Sequence, residues 1–192
     1  EPGPVFIEIP MEYQMFKGEV DALLPYAKTY QNPQVDLKKI EAAATLLSKS
    51  AHPGIYVGWG AANATEHLLK IADLLGAPVA TTLQGKASFP ASHALHTGFG
   101  FGPNSVPASQ KAFKNCDAML AVGVRFSEIA TGSYGVTVPE NLIHIDINPQ
   151  VFDKNYPTKI SIEGDANDTL KLLVEALENI KTIKEKDTSA LA

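Results

Sequence analysis

Cysteine is almost absent: Cys116 is the only one in 192 residues, so no internal disulfide can form. The chain therefore suits a reducing, cytoplasmic compartment. Tryptophan is equally scarce, with Trp59 alone. Basic residues are outnumbered, 16 Lys and Arg against 21 Asp and Glu, for a net charge of −5. With no basic run either, a dedicated nucleic-acid surface is not expected. No apolar stretch approaches the ~20 residues that span a bilayer, and no signal-peptide pattern occurs, so no membrane partner is expected. The first residue is not Met. The opening Glu1-Pro2-Gly3-Pro4-Val5 reads as the interior of a longer chain. Several chemical signatures are missing as well: there is no Walker A, no Gly-x-Ser-x-Gly and no paired-carboxylate motif. The five histidines (His52, His67, His93, His96, His144) lack metal-ligand spacing, and only His93 and His96 lie close together.

What is present is an ordinary globular mixture, 45% hydrophobic and 19% charged, long enough to bury one core without metals or disulfides. Val5–Ile9, closed by Pro10, has the composition of a short strand. Met11 to about Pro33 shows no firm period and reads as a linker. From Asp36, a helix N-cap, Leu37, Ile40, Ala44 and Leu47 recur at helical spacing. After Pro53-Gly54 comes a compact strand, Ile55–Val57, ending in Gly58-Trp59-Gly60-Ala61. Asn63 with Glu66 three residues on predicts an N-cap, for a helix that carries Leu68, Leu69, Ala72 and Leu75 and stops at Gly76.

Pro78–Thr82 is the next strand. Leu83 to about Pro107 reads as a long loop, followed by a helix to Asn115. Further strands are expected at Ala118–Val122, Leu142–Ile147 and Ile160–Ile162, and Asp165 opens a helix with Leu170, Leu173, Val174, Leu177 and Ile180 on one face. The tail after Lys181 resembles a second linker. Strands and helices alternate, and the central strands are apolar throughout rather than alternating. That pattern predicts a three-layer, Rossmann-like doubly wound parallel sheet of about six strands.

In such a sheet a ligand sits in the crevice beyond the carboxyl ends of the strands. Gly58 and Gly60 would let backbone approach a diphosphate, and a helix opening near Asn63 would offer N–H groups and a positive dipole end. Arg125 suits a phosphate or a ring, Asp146 a ribose hydroxyl or adenine amine, and Gly164-Asp165-Ala166 a further backbone approach. Each has a structural alternative: Gly-x-Gly occurs in any βα turn, Arg125 can be a surface residue, and Asp146 and Asp165 can be strand-end and helix-cap residues. For Asp165 the cap is the favoured role. Asn63 stands at the third glycine of the dinucleotide fingerprint, and Thr81-Thr82 where its acid belongs, so nicotinamide binding of the usual kind is not expected.

Taken in order, several segments resemble the central domain of thiamine-diphosphate enzymes of the acetolactate synthase type. These are Gly54–Ala61, Leu74–Lys86 with Phe89-Pro90 and His93, Gly123-Val124-Arg125-Phe126 with Thr131-Gly132, Ile143–Pro149 with Lys154-Asn155, and Gly164-Asp165-Ala166. Pro2–Pro10 is similar to the end of the preceding pyrimidine-binding domain. The resemblance implies residues 1–33 as that end and a linker, 34–180 as the central domain, and 181–192 as a linker to a diphosphate-binding domain. It implies a parent enzyme, a homodimer or homotetramer of branched-chain amino acid biosynthesis. Such an enzyme decarboxylates pyruvate and joins the remaining two-carbon unit to a second 2-oxo acid. Thiamine diphosphate and Mg²⁺ would be held by the flanking domains, leaving this segment without catalytic residues and inactive alone.

The middle domain of this family binds FAD in some members, ADP in others and nothing in others. The matching positions are Gly58, Gly60, Thr82, Leu83, Gln84, Gly98, Arg125, Asp146, Ile147 and Asp165. Three departures stand out: Trp59 where a glycine is usual, Ile129 in place of a second arginine, and no histidine in Gly98–Pro103. The competing readings are a stand-alone dinucleotide-binding module, of the sirtuin or electron-transfer-flavoprotein type, and a ligand-free spacer that serves oligomer assembly.

Overall fold

Residues 4–19, 22 and 32–180 are described by a computed structural model, and the chain divides into two units, 1–31 and 32–192. In the first unit a five-residue helix, α1 (Met11–Met15), follows an irregular segment. The strand expected at Val5–Ile9 is not formed, and Phe6 is 87% exposed. The physical reason is that a strand needs a neighbour for its N–H and C=O groups, and no described residue pairs with this one. The linker expected at Met11–Pro33 includes residues 20–21 and 23–31, and the linker after Lys181 covers 181–192; both stretches lie outside the described residues.

The second unit runs α2 (Leu37–Lys49), β1 (Pro53–Val57), α3 (Thr65–Leu75), β2 (Val79–Thr81), β3 (His96–Phe99), α4 (Pro107–Phe113), β4 (Ala118–Val122), β5 (Asn141–Asp146), β6 (Ile160–Glu163) and α5 (Ala166–Asn179). Local chemistry explains most boundaries. Asp36 caps α2 by accepting from the Lys38 N–H, and Asp165 caps α5 by accepting from the Asn167 and Asp168 N–H groups. Gly76 ends α3 in the left-handed conformation at φ 56°. Pro107 begins α4 at a position whose N–H has no intrahelical partner anyway.

Two sequence expectations fail here. Asn63 does not cap α3. The cap residue is Ala64, with no side-chain bond, because a 3-10 turn at Trp59–Ala61 sets the helix start back. Glu66 instead reaches forward to Lys70 at 3.0 Å, four residues on along the same face. Within the expected loop from Leu83 to Pro107 lies a strand, β3, pairing with β2 across an irregular register at Val79/Ala80. His96-Thr97-Gly98-Phe99 carries no apolar run and holds a glycine at φ 105°, so it has no strand signature of its own.

All six strands are parallel in the order β3-β2-β1-β4-β5-β6, a doubly wound sheet whose order reverses at β1. Side chains alternate between its two faces. Ile55, Val57, Leu120, Val122, Ile143 and Ile145 meet the apolar stripes of α2, α3 and α5, which supply Ile40, Leu47, Leu68, Leu75, Leu173 and Leu177. Leu37, the first residue of α2, stays exposed instead. On the opposite face Tyr56, Met119, Ala121 and Leu142 meet Phe113 of α4 and the loop residues Phe101, Val124, Phe126 and Val136. That second layer is therefore one short helix and folded loops. Among the described residues no helix is long and apolar enough to cross a membrane.

Candidate functional site

The strand register carries the candidate residues to one edge. Val57 lies beside Thr81 and Val122, and Val122 beside Ile145. One residue further on, Gly58, Thr82 and Gly123 leave the sheet at its carboxyl end, where Asp146 closes β5, with Arg125 two positions past Gly123. A shared rim is thus built by parallel pairing alone.

At the centre of this rim the protein fills its own space. A Cβ on Gly58 would lie 2.0 Å from the Gly123 carbonyl oxygen, and one on Gly60 would lie 2.8 Å from the Gly123 Cα. One on Gly85 would meet the Val57 oxygen at 2.6 Å. The backbone turns after β1, β2 and β4 are therefore packed directly on one another, and their glycines are explained by that contact. The amides are engaged too. Gly58 N–H donates to Val122 O (2.9 Å), Gly60 to Gly123 O (3.4 Å), Ala61 to Gly58 O (3.2 Å), Ala62 to Trp59 O (3.0 Å) and Ala64 to Ala61 O (3.0 Å).

Side chains around the rim complete the packing. Thr82 Oγ1 is buried and accepts from Gly85 N–H at 3.0 Å. The Ser88 hydroxyl donates to Gly58 O at 3.1 Å, and Thr65 Oγ1 donates to Ser88 O at 3.1 Å. Ser88 and Gly85 thus organise the rim without having been singled out as site residues. Their only sequence signal was the glycine within the Thr82–Lys86 motif. The Asp146 carboxylate accepts from Asn148 N–H at 2.9 Å, and Asp165 is spent on its helix cap. Gly98 lies within β3, where a Cβ would meet Val106 Cγ2 at 2.7 Å. Ile147 is half-buried after β5; Gly60, Gln84 and Arg125 are exposed.

Beside this packed centre lies a cleft of about 360 Å³ between the loops Phe99–Ser105 and Ile129–Val136, with Leu83 at its border. Leu83 is the one candidate residue that lines it. No ionisable side chain does, so the cleft can hold a ligand or an apolar surface but has no group to move a proton. Its floor is fixed by Tyr56, whose hydroxyl donates to Ala130 O at 2.5 Å and whose ring meets Phe101 edge-on at 4.7 Å between centroids. Burial holds the Tyr56 phenol far above its ordinary pKa, with Tyr156 adding to the effect. Tyr156 is raised as well, chiefly by burial.

The turn carrying Arg125 is anchored on both sides. His144 Nε2 bonds Val124 O at 2.8 Å, and Asn155 Nδ2 donates to Phe126 O at 3.0 Å. Phe126 is buried at φ 49° among Tyr56, His144 and Tyr156. Burial lowers the His144 pKa, opposed by the Val124 carbonyl and Asp153. Cys116, half-buried, donates to Ala118 O, and burial pushes its thiol up to about 12, which leaves it inert. Among the described residues no three His, Cys, Asp or Glu side chains could share a metal.

The thiamine pyrophosphate enzyme central-domain family matches residues 40–173, the span from α2 into α5. The chain is 38% identical, over 97% of its length, to a probable acetolactate synthase large subunit of Methanocaldococcus jannaschii, covering 33% of that protein. It is 33% identical over 96% of its length to the acetolactate synthase large subunit of Corynebacterium glutamicum, covering 30% of it. Acetolactate synthase isozyme 2 large subunit of Escherichia coli is 30% identical over 92% of the chain, with 32% of that protein covered. The chain thus spans about a third of the length of the curated relatives it matches. The match over residues 40–173, most of its length, makes the chain a member of the thiamine pyrophosphate enzyme central-domain family.

Proposed function

We propose that this domain is the scaffold at the centre of a cytoplasmic, acetolactate synthase-like enzyme that acts on pyruvate or another 2-oxo acid, in branched-chain amino acid biosynthesis. Residues 1–33 close the preceding pyrimidine-binding domain, 34–180 form the central domain and 181–192 lead to a diphosphate-binding domain, in a homodimeric or homotetrameric parent. The observation that carries this reading is the match over 97% of the chain to an acetolactate synthase large subunit, at 38% identity. The stand-alone dinucleotide module is not favoured.

Thiamine diphosphate and Mg²⁺ belong, in this reading, to the other domains. Asp165 supports that division: in Gly164-Asp165-Ala166 its carboxylate is engaged by two helix amides and is not set up as a metal ligand. When bound there, thiamine diphosphate supplies the carbanion chemistry of decarboxylation and carbon–carbon bond formation. The contribution of this chain is mechanical. It holds the flanking domains at a fixed separation and offers an apolar, proton-inert surface.

An FAD or ADP in this domain is a separate question of fit. A diphosphate needs free amides and a close backbone approach. Five amides from Gly58 to Ala64 are already engaged, and the approach at Gly58 and Gly60 is filled by Gly123. The glycines of the β1 turn are closed to a diphosphate by Gly123, which leaves the first-turn amides of α3 as the groups one would have to meet, and no step of the function runs through a flavin. Leu83, Gln84 and Arg125 are the exposed candidate positions at the outer rim whose side chains could meet a ligand. Full-length enzyme supplied with pyruvate, thiamine diphosphate and Mg²⁺ is expected to release CO₂ and form acetolactate. Failure to turn over any 2-oxo acid would overturn the assignment.

A further inference from the structure

We infer that Ile129–Val136, one wall of the cleft, is a spring-loaded flap. A left-handed turn within it is held against the opposite wall by a latch on the sheet, and the flap swings outward when the latch releases.

The strain is in the backbone. Gly132, Ser133 and Tyr134 follow one another at φ 56°, 58° and 63°. L-residues visit this region singly, so a run of them is a turn of the disfavoured hand. Tyr134 is the most costly of the three, because a bulky side chain tolerates a positive φ least. It is 53% exposed, so little packing offsets that cost. A backbone of this kind persists only where its surroundings over-determine it, and such sites gather at clamps and switches.

The surroundings that hold it can be named. Ala130 and Thr131 are buried before the turn and Val136 after it, while residues 133–135 stand exposed between them. The Tyr56 hydroxyl, on β1, donates to Ala130 O and ties the wall to the sheet. The remaining bonds lie within the segment itself. Ser133 N–H donates to Glu128 O at 2.8 Å, Tyr134 N–H to Thr131 Oγ1 at 3.1 Å and Gly135 N–H to Thr131 O at 3.1 Å. Tyr56 is the latch, and the left-handed turn is the spring that works against it.

The turn also sets the width of the cleft. A Cβ on Gly132 would lie 3.1 Å from Asn104 Nδ2, and one on Gly102 would lie 2.4 Å from Val136 Cγ1. The two walls therefore meet at both places. When Gly132–Tyr134 relaxes out of the left-handed region, Gly132 leaves Asn104 and the cleft opens on that side. Phe101, which lines the cleft and is buried in the closed state, then meets water.

Hydrogen exchange of the full-length protein, read by mass spectrometry on peptides covering 127–136, follows the release of the Ser133, Tyr134 and Gly135 amides. Moving one flap exposes little surface, so exchange there is expected to be nearly independent of urea below the unfolding transition. Tyr134→Asn, which suits the left-handed region, is expected to slow this exchange several-fold. Tyr134→Ala, which removes the ring and keeps the strain, is expected to leave it unchanged. Tyr56→Phe removes the latch and is expected to speed it about tenfold, with a several-fold rise in hydroxyl-radical oxidation of Phe101. Exchange in 127–136 that depends on urea as steeply as that of the central strands would overturn the inference. Equal effects of Tyr134→Asn and Tyr134→Ala would overturn it as well, as would a Phe101 no more reactive in Tyr56→Phe than in the unsubstituted protein. If Tyr56→Phe does not fold, the pair at Tyr134 decides alone.

Discussion

Replacing Gly58 by alanine tests the central packing claim with one methyl group. Gly58 sits at φ −103° and ψ −178°, extended backbone that alanine adopts freely, so the substitution brings no conformational strain. Its effect is steric. The new Cβ would lie 2.0 Å from Gly123 O, 2.7 Å from Gly123 C and 3.1 Å from Val124 Cα, all backbone atoms that no rotamer change can move. Carbon–oxygen contacts settle near about 3.3 Å or longer, so the turns after β1 and β4 must part by roughly 1 Å. That movement stretches the Gly58 N–H bond to Val122 O, now 2.9 Å, and breaks the weaker one from Gly60 to Gly123 O at 3.4 Å. Overpacking costs about 1–3 kcal/mol and each lost hydrogen bond about 1 kcal/mol, giving roughly 3 kcal/mol in total. For a domain of this size that is a drop in melting temperature of roughly 6–12 °C, read by calorimetry or circular dichroism. Gly18→Ala, whose Cβ would meet nothing within 4 Å, is the control and is expected to leave the melting temperature unchanged. If Gly58→Ala melts with the unsubstituted protein, the glycine is not kept by backbone packing and the argument against a diphosphate loses its main support.

Three further outcomes are expected. Burial alone would raise the Asp117 pKa, but hydrogen bonds from Ser50 Oγ, Ala51 N–H and His52 N–H outweigh it and hold the carboxyl below its usual range. Because the folded pKa is the lower one, the stabilisation is full above the unfolded value of about 4 and is lost as pH falls through the folded pKa. Asp117→Asn should therefore flatten the acid limb of a denaturation-versus-pH curve, and an unchanged limb would refute the assignment. His144 is also lowered, chiefly by burial, so protonation favours the unfolded chain: stability is full above about 6.5 and falls as pH drops through the folded pKa. An NMR titration should place the His144 ring below a free histidine; a value at or above it would contradict the burial. Tyr56→Phe leaves the Ala130 carbonyl without its donor and should cost about 1–2 kcal/mol in urea denaturation, with faster amide exchange in residues 127–136.

Much of the fold was legible in the chain because its signals are local. Ile55–Val57, Ala118–Val122 and Leu142–Ile147 are largely apolar stretches of strand length, and each marks a central strand, the last one shifted by a residue to Asn141–Asp146. Asp36 and Asp165 announce their helices through hydrogen bonds only two or three residues long, and Gly76 ends α3 through its own backbone angle. Where a signal depended on a partner elsewhere, sequence reasoning went astray. Val5–Ile9 has a strand's composition but no described neighbour. His96–Phe99 lacks the composition, yet it is a strand because β2 presents an open edge to it. Asn63 and Glu66 have capping-box spacing, but the 3-10 turn after β1 moves the helix start past Asn63 and leaves Glu66 in the first turn.

The site divides the same way. Alternation of strands and helices was enough to predict a parallel sheet, and a parallel sheet necessarily delivers Gly58, Thr82, Gly123 and Asp146 to one edge. What fills the space between those residues is a matter of ångströms between segments some 30 to 65 positions apart in the chain. Only the folded backbone decides that Gly58 and Gly60 press on Gly123 while Trp59 and Ile129 face outward, because such contacts depend on strand register and turn height, which no local pattern encodes.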